Sequence, residues 1–559
     1  MSHFERIILL IFFYFSLLSC GNQQHKKEHA KKNITKQEGQ VQERVSESLK
    51  KLLDYADQKQ GELNDSVSLT FLGMMDSIYD SNDFQPLWSK NQKWLPLGDS
   101  LYNFIEKSMN YGLFPADYHY RPLSFIHRVF QADSLTEKNS VLWARSDLLL
   151  TDAFFKLVKD IKQGRFKYDS VTLRTDTVLR YDLYSRTLDS MRLLGNVTAT
   201  LNRLEPSYKG YDSLKACIPA FLSKADFKPY TDLTYPYTDS IAFFKLLEKR
   251  LHEIGFIPQD TLSLDTTRFQ SLLRRYQRSQ GLKATGWVSD QLVDRLNSTD
   301  WEKFKRIAVN LDRYKLLPDT LPRAYVWVNL PSFMLQVFDD DTIVFQSRVI
   351  VGEPETRTPL LTSEISNFVT FPQWTVPYSI IFREILPKIQ ENVDYLDKQN
   401  LLVVDENDSV YDPHLINWKK LNRNHFPYIL KQKQGDDNSL GIIKFNFRNK
   451  YSVYLHDTNV RWKFANSLRA LSHGCVRIKE WKKMANFLLR DDSVHHQTDS
   501  LKEWIQRQEK HVISGFTKLP IFIRYFTCEG RGGKLKFYND IYEEDRSLRE
   551  RYFSGKTFD

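Results

Sequence analysis

Cysteine is scarce, with 4 in 559 residues, and Cys20, Cys217, Cys475 and Cys528 form neither a CxxC pair nor a cluster with histidine at metal-ligand spacing. A disulfide-stapled scaffold and a cysteine-rich zinc module are therefore excluded. No phosphate-cradling glycine loop, zinc-finger pattern or RNP-like motif is present, so the sequence implies no cofactor, no metal and no nucleic-acid partner. The excess of one charge sign is modest, 79 Lys and Arg against 69 Asp and Glu. The resulting net charge of +10 favours anionic surroundings without choosing among nucleic acid, acidic lipid and wall polymer.

What is present begins with length. A chain of 559 residues exceeds one core, and at roughly 150 residues per domain it holds about three or four. With 41% hydrophobic and 14% aromatic residues, large packed domains are available. The apolar run Ile7 to Leu18 follows Arg6, has the length of a signal-peptide core and is too short to span a membrane comfortably. It ends in Leu17-Leu18-Ser19-Cys20-Gly21, which resembles the lipobox of bacterial lipoproteins. That resemblance implies a signal peptide over 1–20, lipidation of Cys20 as first mature residue, and an exported, periplasmic protein anchored in a bacterial membrane. An ordinary cleaved signal containing a cysteine is the alternative.

Residues 21–66 are rich in Gln, Lys and Glu and read as a tether or a solvated helix, with Val41, Val45, Leu49, Leu52 and Leu53 at helical spacing. Residues 67–235 alternate helical runs with turn signals, as in Leu101, Phe104, Ile105 and Met109 stopped by Gly112. Between 240 and 298 three short amphipathic helices are expected. They carry Phe244, Leu247, Leu251 and Ile254, then Phe269, Leu272, Leu273 and Tyr276, then Leu292, Val293 and Leu296. From about 320 the pattern turns to β: Tyr325 to Leu330, Phe333 to Phe338, Ile343 to Val351, and later Tyr451 to His456. The stretch 378–435 breaks that pattern and reads as an insertion capping a β domain that ends near 530. A charged and aromatic tail, 531–559, follows.

One cysteine has chemistry around it. Cys475 lies in Ser472-His473-Gly474-Cys475-Val476-Arg477, with His473 two residues before it and His456 nineteen before it. A thiol reacts as thiolate, and a neighbouring imidazole or helix N-terminus raises that fraction. Gly474 permits a sharp turn that aims backbone N–H groups at a developing oxyanion. The amphipathic helix around Trp481, Met484, Ala485 and Leu488 would put Cys475 near its positive end. Cysteine plus histidine alone is also what a buried thiol beside a hydrogen-bonded imidazole gives. Cys217 and Cys528 lack histidine neighbours and read as structural.

The composite Tyr454-Leu455-His456-Asp457-Thr458 followed by Ser472 to Arg477 closely resembles the active-site signature of L,D-transpeptidases with the YkuD-type catalytic domain. Asn329-Leu330-Pro331, Trp374-Thr375-Val376-Pro377 and Leu440 to Phe445 resemble the large, capped branch of that family. Gln85-Pro86-Leu87-Trp88 and Tyr111 to Tyr118 are similar to its scaffold domain. Arg250 to Gly255, Phe269 to Gln277 and Gly286-Trp287-Val288 resemble a peptidoglycan-binding domain.

The resemblance implies a multidomain α+β fold: a helical scaffold (67–235), a three-helix peptidoglycan-binding bundle (240–298), and a mostly β catalytic domain (320–530) with its cap. It implies Cys475 as nucleophile and His456 as base, although proximity alone favours His473, which becomes a residue flanking the oxyanion site beside Gly474. Asp457 takes the position whose carbonyl orients the base. Tyr454, Trp374, Arg477 and Asp457 are candidate substrate-facing groups, with packing as the alternative for Tyr454 and Trp374 and a structural role for Arg477. The implied partners are a peptidoglycan stem tetrapeptide and an acceptor amine. A non-catalytic wall-binding lipoprotein, a carboxypeptidase and a cysteine peptidase are the rivals, the last without the local papain-like signature.

Overall fold

The computed structural model describes residues 42–63, 67–132, 139–166, 179–257, 266–490 and 498–556. The leader, Cys20 and the polar stretch up to residue 41 lie outside them. The chain divides into two compact units, Met1–Phe166 with Arg174–Leu316 and Tyr552–Asp559, and Lys167–Leu173 with Leu317–Arg551. The first is helical and the second mostly β, so the protein is a mixed α+β multidomain chain.

The first unit is organised by helix Ser140–Lys162. Its runs Leu148-Leu149-Leu150 and Ala153-Phe154-Phe155 are apolar on every face, and the helix is correspondingly surrounded on all sides. The Asn139 side chain accepts from the amides of Val141 and Leu142 and supplies its N-cap. Two of its carboxylates are fully buried and bind loops instead of solvent. Asp147 accepts from the amides of Leu87 and Trp88 at 2.8 and 2.9 Å and from the Tyr79 hydroxyl at 2.6 Å. Asp152 accepts from the amides of Thr70 and Phe71 at 2.6 and 2.8 Å and contacts His119 Nε2 at 2.8 Å. The Gln85-to-Trp88 motif thus has a local cause: its amides are held by a carboxylate on the central helix.

Helix 42–58 belongs to this core, burying Val45, Leu49, Leu53 and Ala56. A tether extending to residue 66 is therefore corrected. The apolar spacing from Val45 onward serves a packed face, and that face outweighs the polar composition around it.

Helices Ser240–Glu253, Thr266–Ser279 and Asp290–Asn297 share a separate small core. Phe243, with Leu247 and Leu251, fills it on the first helix, while Phe244 is 37% exposed and Trp287 is 65% exposed. Buried Gln277 accepts from the Gly286 amide and donates to the Trp287 carbonyl, fastening that turn.

In the second unit the strands close on themselves. Ile443–Phe447 pairs with Leu455–His456, which runs parallel to Val476–Ile478, followed in order by Thr342–Gly352, Met334–Asp339, Ala324–Asn329, Leu519–Arg524 and Leu361–Thr370. Leu361–Thr370 returns to Ile443–Phe447 by antiparallel pairing and shuts the ring. Closure removes exposed strand edges and leaves an interior filled by Val326, Val328, Leu335, Val349, Phe368 and Ile521. Helix Trp481–Leu488 packs Met484, Ala485 and Leu488 against the same core.

Because Leu361–Thr370 and Ile443–Phe447 pair directly, everything between them is a true insertion. It has its own sheet, Trp374–Thr375, Ile429–Gln432, Leu401–Val404 and Val410–Tyr411, and its own core around Trp418, Ile381 and Leu430. The cap begins at Trp374, a few residues earlier than the sequence pattern placed it.

Removing the Asp152 carboxylate strands two part-buried amides and an imidazole. Asp152→Ala is expected to destabilise the helical unit by about 3 kcal/mol, measured as a lowered first transition in calorimetry of the full chain. An unchanged thermogram would contradict the loop-anchoring role.

Candidate functional site

The site is assembled by a parallel pair of very short strands. Leu455 lies opposite Val476 and His456 opposite Arg477, and the Val476 amide donates to the Tyr454 carbonyl at 3.2 Å. Cys475 therefore enters its strand beside Tyr454, one strand away from His456. Parallel strands need a long crossover, which is why a nineteen-residue separation in sequence becomes adjacency in space.

The expected strand Tyr451 to His456 is shorter than its composition suggested, only Leu455–His456. The Asn449 side chain accepts from the amides of Tyr451 and Val453, and Ser452 takes φ of 56°, so this stretch is a turn. That turn directs the Ser452 carbonyl toward the Cys475 Sγ, at 3.9 Å. The predicted helix N-terminus beside Cys475 is also corrected. Strand Val476–Ile478 intervenes before the helix begins at Trp481.

The loop that carries Cys475 is held from within and from behind. The Ser472 hydroxyl donates to the Cys475 carbonyl at 2.6 Å and accepts from the Gly474 amide at 3.3 Å. Gly474 has φ of 114°, a conformation that side-chain-bearing residues rarely adopt. Behind it, the Gly474 carbonyl accepts from the Thr358 hydroxyl at 2.8 Å, and that hydroxyl accepts from the Gly352 amide at 2.9 Å. Gly352 has no room for a β-carbon, which would lie 2.1 Å from the Thr356 carbonyl oxygen.

The tail completes this support. The Tyr542 hydroxyl donates to the Gly352 carbonyl at 2.7 Å and accepts from the Thr358 amide at 3.1 Å. Sequence reasoning gave no role to residues 531–559. No local signal marks Tyr542, whose partners lie almost two hundred positions away.

His456 is 4% exposed and its Nδ1 has no hydrogen-bond partner of good geometry. Burial first, then the Arg477 charge, holds its pKa down at about 3, with Lys444 adding to the depression and the Asp457 and Leu440 backbone opposing it. Burial and the neighbouring charges thus favour the neutral imidazole. Burial pushes the Cys475 thiol up, while hydrogen bonding from Tyr454 and the charges of Lys444 and Arg477 pull it back. The Tyr454 hydroxyl in turn contacts Cys475 and Trp374 of the cap, and burial raises it well above the ordinary phenol range.

Among the sequence candidates, Cys475, His456, Tyr454, Trp374 and Arg477 converge. His473 does not turn toward the thiol; its Nε2 lies 2.5 Å from Glu384 Oε1 in the cap. Asp457 is corrected as a substrate-facing group. It is fully buried, its carboxylate gripped by the Arg461 guanidinium and by the Ile442 amide at 3.0 Å, which hold the side chain inside the protein. Cys217 and Cys528 are buried. No group of three or more metal-ligating side chains occurs among the described residues. Lys444 is the residue that sequence reasoning passed over, since its meaning depends on the strand beside it.

A depressed His456 pKa has a definite sign. Its stabilising contribution is complete above the unfolded value near 6.5 and is lost as pH falls toward about 3. NMR of the labelled ring is expected to show neutral imidazole down to pH 5, and a midpoint near 6.5 would contradict the burial argument.

Two parts of the chain match known families. Residues 323–495 match the L,D-transpeptidase catalytic domain, YkuD, and residues 74–217 match the Scaffold domain. A Haemophilus influenzae protein named "Putative L,D-transpeptidase" is 34% identical over 245 residues, covering 44% of this chain and 49% of that protein. The chain thus spans about half the length of the curated relative it matches. Solved structures include a cysteine-to-serine mutant of the Enterococcus faecium L,D-transpeptidase, with TM-score 0.18 and 12% identity, over 48% of this chain and 86% of that one. The Ldtfm–avibactam carbamoyl enzyme has the same score and identity, over 56% and 96%. The chain thus contains an L,D-transpeptidase catalytic domain of the YkuD type at residues 323–495, preceded by a Scaffold domain at 74–217.

Proposed function

We propose that this chain forms 3→3 cross-links in peptidoglycan through a thioester on Cys475. The observation that carries the reading is a half-buried thiol entering a strand beside a fully enclosed, neutral His456 on the neighbouring parallel strand. Cys475 Sγ attacks the carbonyl joining the third residue of a stem tetrapeptide to its terminal D-amino acid. The thiol proton passes through His456 to the departing amine, the C–N bond breaks, and a thioester remains. The side-chain amine of a diamino acid on a second stem then attacks the thioester. His456 takes the amine's proton and returns it to the sulfur as the C–S bond breaks. Among the described residues the Cys475 amide has no acceptor, which leaves it available to the oxyanion of both tetrahedral intermediates.

Tyr454, Trp374 and Arg477 line the donor stem in this reading, while His473, held by Glu384, borders it from the cap. The bundle at 240–298 binds the wall polymer. Export, lipidation at Cys20 and attachment to a bacterial membrane complete the proposal and bring the thiol to its substrate. Water in place of the amine would give a carboxypeptidase.

The test is incubation of the purified protein with a disaccharide tetrapeptide, followed by mass spectrometry. An acyl adduct with loss of the terminal D-amino acid and a cross-linked dimer are expected; adduct without dimer would leave the carboxypeptidase. Binding with neither would leave a wall-binding protein. Cys475→Ala is expected to abolish the adduct, whereas Cys217→Ala and Cys528→Ala retain it. His456→Ala should cost about a hundredfold or more in acylation rate, and a larger loss with His473→Ala would reverse the assignment of the base. Tyr542→Phe, which only loosens the loop from behind, is expected to slow acylation about tenfold.

A further inference from the structure

Three strands place three basic side chains in one row. Lys444 on Ile443–Phe447 lies opposite His456, and His456 lies opposite Arg477. Cross-strand partners share a sheet face, so the imidazole stands between an ammonium and a guanidinium, with Cys475 two residues before Arg477 in the chain. The Lys444 Nζ sits 4.0 Å from the centre of the Tyr454 ring, whose hydroxyl contacts the Cys475 side chain.

Neither cation is neutralised. Among the described residues no carboxylate lies within ion-pair distance of Lys444 or Arg477, and the Arg477 Nε is buried without a hydrogen-bond partner. The carboxylates on neighbouring elements are engaged elsewhere or stand off. Asp457 is held by Arg461 and Glu384 by His473, while Glu353 acts on Arg477 only at longer range. Burial lowers the pKa of both Lys444 and Arg477, and the Cys475 sulfur is the first group opposing that effect for each. Unpaired, partly desolvated cations are costly unless the site exists to hold a negative charge.

We propose that Lys444, together with Arg477, holds the negative charge on the Cys475 sulfur, so that activation of the nucleophile is divided between two fixed cations and a neutral imidazole. The assignment rests on Cys475 as the nucleophile. It also explains why His456 needs no proton in the resting site: an imidazolium would be a third cation in the row. Lys444 acts on the sulfur through the field and through Tyr454, and a methionine of similar length keeps its packing while removing its charge.

The test is the pH dependence of iodoacetamide alkylation of Cys475 in the full chain, read peptide by peptide, which requires no wall substrate. Lys444→Met is expected to move the midpoint upward by roughly one pH unit and to slow alkylation at pH 7 by roughly tenfold. Lys444→Arg, which keeps the charge, should stay within about twofold of wild type. A folded Lys444→Met protein with an unchanged profile would overturn the proposal, and if its KM for the tetrapeptide rises instead, the ammonium serves the substrate. Equal slowing by the Met and Arg variants would also overturn it, by making shape the cause. Because wild-type alkylation is measured apart from turnover, failure to form cross-links would count against the proposed function and not against this electrostatic role.

Discussion

The two-residue parallel pairing of Leu455–His456 with Val476–Arg477 is the constraint on which the site depends. Parallel neighbours cannot be joined by a tight turn, so the chain between them has to travel out and return. That excursion carries the loop from Asp457 to Gly474. The loop is tied down on its outward leg by Asp457 with Arg461 and on its return by the Ser472 hydroxyl against Cys475. The closed ring of strands makes this pairing possible. In an open sheet such short strands would be frayed edges, whereas here each has a neighbour on both sides.

Rigidity at the thiol is supplied from several directions. Thr358 holds the Gly474 carbonyl, Gly352 holds Thr358, and Tyr542 from the tail holds both Gly352 and Thr358. Gly352 and Gly474 are small for different reasons, one for lack of space and the other for its backbone angle. The cap approaches the opposite side with its own core, contributing Trp374 beside Tyr454 and Glu384 beside His473. Because the cap interrupts two directly paired strands, its internal packing can vary without disturbing the ring that bears Cys475 and His456.

Electrostatics gives the site its character. His456 is enclosed and flanked by cations, so burial and charge both favour its neutral form. In the proposed function, a neutral acceptor beside a thiol, with positive charge fixed nearby, would provide for proton removal and for anion stabilisation separately. Asp457, which by position alone reads as part of this chemistry, instead spends its carboxylate on the loop.

Apolar spacing made the helices of the first unit and the strand character of 320–350 legible, because periods near 3.6 and 2 reflect which face is buried. The run around Cys475 singled out that thiol through its resemblance to a family signature, since cysteine plus histidine alone is also what packing gives. Composition misled where one packed face outweighed it, as at residues 45–56, and where a side-chain-closed turn replaced a strand, as at Tyr451 to Val453. Tertiary structure alone decided that His473 faces Glu384, that Asp457 is buried, that Tyr542 braces the loop carrying Cys475, and that Lys444 stands beside His456. The reason is physical: short-range pattern encodes which face is buried, whereas the partner of a buried charge or hydroxyl is set by strand register and ring closure, which unite residues far apart in the chain.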